Sequence, residues 1–183
     1  GQGLNAVVVR AAFKAMGYEL SVQFYPWNRA VALVQNDKTV MGYFPEYYSD
    51  ANAADFIYSD PIGIGPLGFV ERSSDPVVWT ALKDLANVKI GVVSGYINTE
   101  EFDAMVAKKQ LQVNEVSSDT VNILNVGNGR ISLAVIDPNV LDWLLVNDPS
   151  LAAVKNKVRM NSRLLENKNL YICFKKSPEG EKW

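Results

Sequence analysis

The chain has no histidine and a single cysteine among its 183 residues. The missing histidine excludes Ser-His-Asp and Cys-His triads and removes the commonest zinc ligand. One cysteine leaves no partner for an internal disulfide. Cys173 stands inside the apolar run 170–174, so it is expected as a small core hydrophobe. No stretch of about 18 apolar residues is present that could span a membrane, and no signal-peptide pattern precedes the first helix. An excess of one charge is also lacking. Eighteen lysines and arginines against twenty acids leave a net charge of −2 with no long basic run, which argues against a nucleic-acid partner. What remains is ordinary for a globular chain: 48% hydrophobic and 21% charged residues can bury a sizeable core. The length suits one domain or two small lobes.

Leu4, Val8, Ala11, Ala12 and Ala15 follow helical spacing, and Gly17 suits the end of that helix. Residues 18–25 alternate like a half-buried strand. Pro26 suits the first turn of a second helix with Trp27, Ala30, Val31 and Val34 on one face. Residues 40–44 read as a short strand ending at Pro45, 46–60 as a loop or irregular helix, and 62–71 as an extended run with three glycines. The segment Arg72-Ser73-Ser74-Asp75-Pro76 is the clearest punctuation in the chain.

Beyond it, strands and helices alternate. Strands are expected at 88–93, 111–116 and 131–136. Helices are expected at 99–108, from a capping Asp119 to Val126 with Gly127 and Gly129 closing it, and at 138–146. Phe102, Met105 and Val106 would point inward. Residues 158–165 and 170–174 read as two more extended segments. This order predicts a parallel sheet with helices on both faces. Gly1-Gln2-Gly3 lead straight into a helix, and 177–183 open another and stop, so the chain reads as trimmed at both ends.

Two strand ends carry most of the information. Lys89-Ile-Gly-Val-Val-Ser-Gly95 and Arg130-Ile-Ser-Leu-Ala-Val-Ile-Asp137 each break from an apolar run into small or polar residues before a helix. Ligands of open α/β sheets bind just beyond such carboxyl ends. Asp137 before Pro138 reads as a ligand contact or as a helix N-cap, and one oxygen could serve each role. In the loop Ser94, Gly95, Tyr96, Ile97 and Asn98, free backbone N–H groups suit an anion, while Asn98 or Thr99 suits a cap. Tyr47 and Tyr48 suit an amphipathic wall or packing beneath a loop. Glu46 reads as a ligand contact or a solvated carboxylate, Trp27 as a contact or core, and Arg29 as a contact, a surface charge or half of an ion pair.

Taken in order, these segments resemble the family 3 extracellular solute-binding proteins, the amino-acid-type receptors of ABC importers. The resemblance rests on Tyr25-Pro26-Trp27-Asn28-Arg29-Ala30, Tyr58-Ser59-Asp60-Pro61-Ile62-Gly63 and Leu82-Lys83-Asp84-Leu85 before Lys89–Tyr96. It continues with Gly129–Asp137 and with the return from Leu170 to Lys182. It implies an α/β, two-lobed periplasmic-binding-protein-like fold of type II, with two hinge crossover strands and a ligand cleft between the lobes. Lobe one would be residues 1–70 plus 173–183, lacking the family's first strand and last helix. Lobe two would be 75–165, with hinges near 68–72 and 170–174.

The resemblance further implies that Asp137 accepts a ligand ammonium and that the Ser94–Asn98 loop touches ligand. The family's ligand-carboxylate arginine falls at Asn52, and a planar bidentate cation has no neutral substitute of equal strength. Function is expected accordingly. The protein binds a small polar solute, an amino acid or amine, without enzymatic activity or cofactor, and delivers it to the permease of an ABC importer. It would reside in the periplasm, with its signal peptide outside this chain. The alternatives are a ligand-sensing domain of a membrane receptor and a dehydratase or lyase on the same fold. A catalyst would need a positioned acid or base, and no matched pair is visible.

Overall fold

The computed structural model describes residues 3–182; Gly1, Gln2 and Trp183, part of the reading of both chain ends, lie outside the described residues. The chain divides into two compact units, residues 1–64 with 169–183 and residues 65–168.

In unit one, α1 (Leu4–Ala15) buries Ala6, Val9 and Phe13. The face expected from Leu4, Val8 and the alanines points outward instead, with Leu4 78% exposed. A phenylalanine buries far more area than an alanine, so the face bearing Phe13 wins. Its ring meets Phe174 with centroids 6.4 Å apart, and Ile172 joins the cluster. Gly17, at φ +84°, turns the chain out of the helix in the left-handed region that glycine adopts most readily.

Residues 18–25 form no strand, against the expectation from their alternation. Alternation makes a strand only where another strand offers an edge, and here Phe24 stays 68% exposed. α2 (Trp27–Asn36) starts after Pro26 as expected and seats Val34, Trp27 and Val31 against Tyr43, Phe56 and Cys173.

The strand expected to stop at Pro45 runs through it, as β1 (Gly42–Tyr47). The register shifts between Tyr43 and Glu46, and a proline is tolerated at such a bulge. The stretch read as irregular, 46–60, contains α3 (Asp50–Asp55) and β2 (Phe56–Tyr58). Both β1 and β2 pair antiparallel with the end of β7 (Val158–Lys175), which places Cys173 in the core, fully buried. β7 is one continuous strand where two segments were expected. It and β3 (Gly63–Arg72) are the two strands that pass between the units.

Unit two holds β4 (Lys89–Val93), α4 (Glu100–Ala107), β5 (Gln112–Val116), α5 (Asp119–Gly127), β6 (Leu133–Ile136) and α6 (Pro138–Asn147). β4 pairs parallel with β5 on one side and β6 on the other. β3 pairs with β6 antiparallel, so the sheet is mixed rather than wholly parallel. β6 reads Leu-Ala-Val-Ile, all buried, as a strand covered on both faces must be. On one face Val70, Ala134 and Ile136 pack with Ile123, Val126 and Leu141 of α5 and α6. Elsewhere in the unit Phe69 contacts Trp79 and Phe102 at 5.6 and 6.2 Å between ring centroids.

Candidate functional site

Within unit two, the carboxyl ends of the three parallel strands gather the candidate groups. After β4, Ser94 donates its backbone N–H to Val116 O at 2.8 Å, which ties the start of the loop to the end of β5. Gly95, at φ +77°, turns the chain so that Tyr96 N–H reaches Val93 O at 3.1 Å. Tyr96 is 40% exposed, and its hydroxyl donates to Asp119 Oδ2 at 3.3 Å. Asn98 is turned the other way. It is buried, and its backbone N–H and Nδ2 both donate to Asp103 at 2.9 Å. Thr99 caps α4 by accepting from Phe102 N–H.

Asp119 was expected as the cap of α5. The cap is Ser118, whose side chain accepts from Val121 N–H, and this leaves the Asp119 carboxylate for Tyr96. Burial pushes that carboxyl up to about 6. The Asp137 charge adds to the rise, while the Tyr96 hydrogen bond opposes it. Asp137 itself is the N-cap of α6, its Oδ1 accepting from Asn139 N–H at 2.6 Å, with Pro138 in the first turn. Burial raises its carboxyl too, against the pull of that capping bond. Two half-buried carboxyl groups and one phenol hydroxyl therefore share the strand ends. Asp119 was not among the candidates expected from the sequence. The available signal was its place at the start of the helix that follows β5, a strand parallel to β4.

Unit one brings a second set together. Glu46 is 3% exposed. Its Oε1 accepts from Tyr47 N–H at 2.8 Å; its Oε2 accepts from Tyr43 OH at 3.2 Å and from Asn52 Nδ2 at 3.1 Å. Asn52 sits in the first turn of α3, its backbone N–H donating to the capping Ser49 hydroxyl. The position where an arginine was expected thus holds an amide committed to an internal carboxylate. Trp27 stands edge-on to Tyr43 at 5.5 Å. Tyr43 is buried, and burial first and Glu46 second push its phenol far up.

Tyr47 belongs to β1 rather than to a loop, and its carbonyl accepts from Tyr58 OH at 3.1 Å. Tyr48 is 49% exposed, donates to Asp50 Oδ1, and packs its ring on Tyr58 and Tyr171, 5.0 and 6.4 Å away between centroids. Tyr43, Tyr58 and Tyr171 were not anticipated as partners of these residues. Burial raises the Cys173 thiol to about 11, which suits a core residue rather than a nucleophile. Arg29 lies over the Tyr25 ring at 4.9 Å. Among the described residues no group of three metal-ligating side chains occurs, and no helix is long and apolar enough to cross a membrane.

No protein-family model and no curated protein matches the chain. Solved structures do. An ancestral arginine-binding protein bound to arginine superposes with a TM-score of 0.77 at 14% identity, over 97% of this chain and 76% of that one. An ABC-transporter binding component from Wolinella succinogenes, complexed with lysine, gives 0.75 at 14% over 99% and 76%. The GluR0 ligand-binding core from Nostoc punctiforme, in complex with L-glutamate, gives 0.73 at 18% over 98% and 80%. The chain has the two-lobed type II fold of the amino-acid solute-binding proteins. At these identities the likeness extends to the solute-binding fold and no further.

Proposed function

We propose that this chain is a non-enzymatic receptor for a small cationic solute, an amine in preference to a plain α-amino acid. The observation that carries the reading is the grouping of Asp119, Asp137 and Tyr96 at the carboxyl ends of β5, β6 and β4. Strand carboxyl ends are where open α/β sheets take ligands. Asp137 already accepts hydrogen bonds from Asn139 and Val140 at the start of α6, and in this reading its carboxylate also holds an ammonium through a charge-assisted hydrogen bond. Tyr96 orients the Asp119 carboxylate beside it.

Unit one supports a ligand without a carboxylate. Asn52 donates to Glu46, so it brings no positive charge with which to clamp one. Trp27, Tyr47 and Tyr48 are the unit-one candidates, Glu46 being buried and engaged by Tyr43, Tyr47 and Asn52, and Ser94, Gly95 and Asn98 are the remaining unit-two ones. Of these, Asn98 supports the loop from within rather than reaching a solute.

In this reading the protein is exported to the periplasm and hands the solute to the permease of an ABC importer. The relatives' fold supports that role, and the loaded receptor is the partner the permease would recognise. The likeness to the GluR0 ligand-binding core favours one second reading, a ligand-sensing domain. A membrane segment flanking this chain in its full-length product would decide for the latter.

Thermal melting with a panel of agmatine, putrescine, L-arginine, L-glutamate and glucose tests the reading. Binding to the folded state at about 100 times Kd adds roughly 2.7 kcal/mol and raises Tm by about 5–10 °C for a chain of this size. The amines are expected to do this for the native chain and not for Asp137→Asn. An unchanged amine response in Asp137→Asn, or a response to glucose or glutamate alone, would overturn it.

A further inference from the structure

Unit two also bears a concavity of about 470 Å³ at the amino ends of β4 and β5, the opposite strand ends from Tyr96, Asp119 and Asp137. Two cations, Lys89 and Arg130, and three amides, Gln112, Asn114 and Asn125, line it, with no carboxylate among the lining residues. The Lys89 ammonium has no hydrogen-bond or ion-pair partner among the described residues. Arg130 Nη1 donates to Asn125 Oδ1 at 3.3 Å, which steadies the guanidinium and leaves its other N–H groups available.

Asn125 supplies a second, independent sign. It is only 9% exposed, yet its Nδ2 donates to nothing among the described residues. That donor opens onto the concavity, where an acceptor on a bound ligand would complete its hydrogen bonding. One turn toward the amino end of α5, Asn122 is 1% exposed with neither of its amide atoms bonded. The carboxyl end of α5 brings partial negative charge to the same place, so an anion there needs both cations.

We infer that this concavity binds a small oxyanion, with phosphate and carboxylate as the two sources of the required chemistry. The Arg130 fork and the Lys89 ammonium meet two oxygens, and the Asn125 Nδ2 donates to one of them. The site is separate from the amine site and stands whether or not that reading holds.

Amide and side-chain NMR spectra of the whole chain at low salt, titrated separately with inorganic phosphate and with citrate, test it. Saturable shifts confined to Asn114, Asn125, Arg130 and their neighbours are expected, and the tighter of the two probes identifies the source. Lys89→Gln, a change at an exposed side chain, should weaken binding about five-fold or more, and Lys89→Gln with Arg130→Gln should abolish saturation. Asp137→Asn should leave both titrations unchanged. Shifts that stay linear with both probes through the millimolar range, or a double variant that saturates like the native chain, would overturn the inference.

Discussion

Asp119 and Asp137 are both carboxylates at strand ends, and their surroundings separate them. Burial raises both carboxyls; the capping bond from Asn139 N–H opposes the rise at Asp137, while Asp119, opposed chiefly by Tyr96, is pushed up to about 6. A folded-state pKa above the unfolded value means that the folded protein holds its proton more tightly between about pH 4 and pH 6. Stability is therefore lost as pH rises through that window.

Asp119→Asn keeps a partner for Tyr96 without the charge. It is expected to gain about 1–2 kcal/mol in urea unfolding at pH 7.5, with the gain fading toward pH 4. A loss at pH 7.5 would show that the ionised carboxylate is stabilising instead. A bound cation needs the same group ionised, so amine affinity measured by calorimetry should fall as pH drops from 7.5 to 5. A flat profile would separate Asp119 from the ligand.

At the scale of elements, the alternating strands and helices of unit two were legible because each boundary carries its own chemistry. Thr99 caps a helix, Pro138 opens one, and Gly129, at φ +74°, leaves one. Unit one was less legible. β1 crosses Pro45 at a bulge that composition does not announce, and α1 buries Phe13 rather than its alanine-rich side. Residues 18–25 have the strand pattern without a partner edge. The candidate residues followed the same division. Asp137 and the Ser94 loop are visible from the way strands end, but Asp119 was read as the cap of α5, a role that Ser118 takes.

Close packing gives an element-scale prediction. A Cβ at Gly91 would stand 2.2 Å from Asn122 Oδ1 and 2.7 Å from Ile131 Cδ1. Gly91→Ala should therefore cost about 1–3 kcal/mol by overpacking α5 against β4. A variant melting within a degree or so of the native chain would mean that α5 can shift to make room.

At the scale of the whole molecule, a two-lobed type II fold carries an unusual distribution of charge. The position expected to carry an arginine is an asparagine that already serves Glu46, and the strand ends of unit two present two acids. Under the proposed reading, the two acids hold an ammonium and Asn52 offers no cation to a ligand carboxylate. Agmatine and L-arginine differ only in that carboxylate. Their dissociation constants, measured side by side by calorimetry on the full chain at pH 7.5, separate a receptor for amines from one for α-amino acids. The account predicts that agmatine binds at least about ten-fold more tightly, a difference of roughly 1.4 kcal/mol. L-arginine binding as tightly as agmatine, or more tightly, would contradict it.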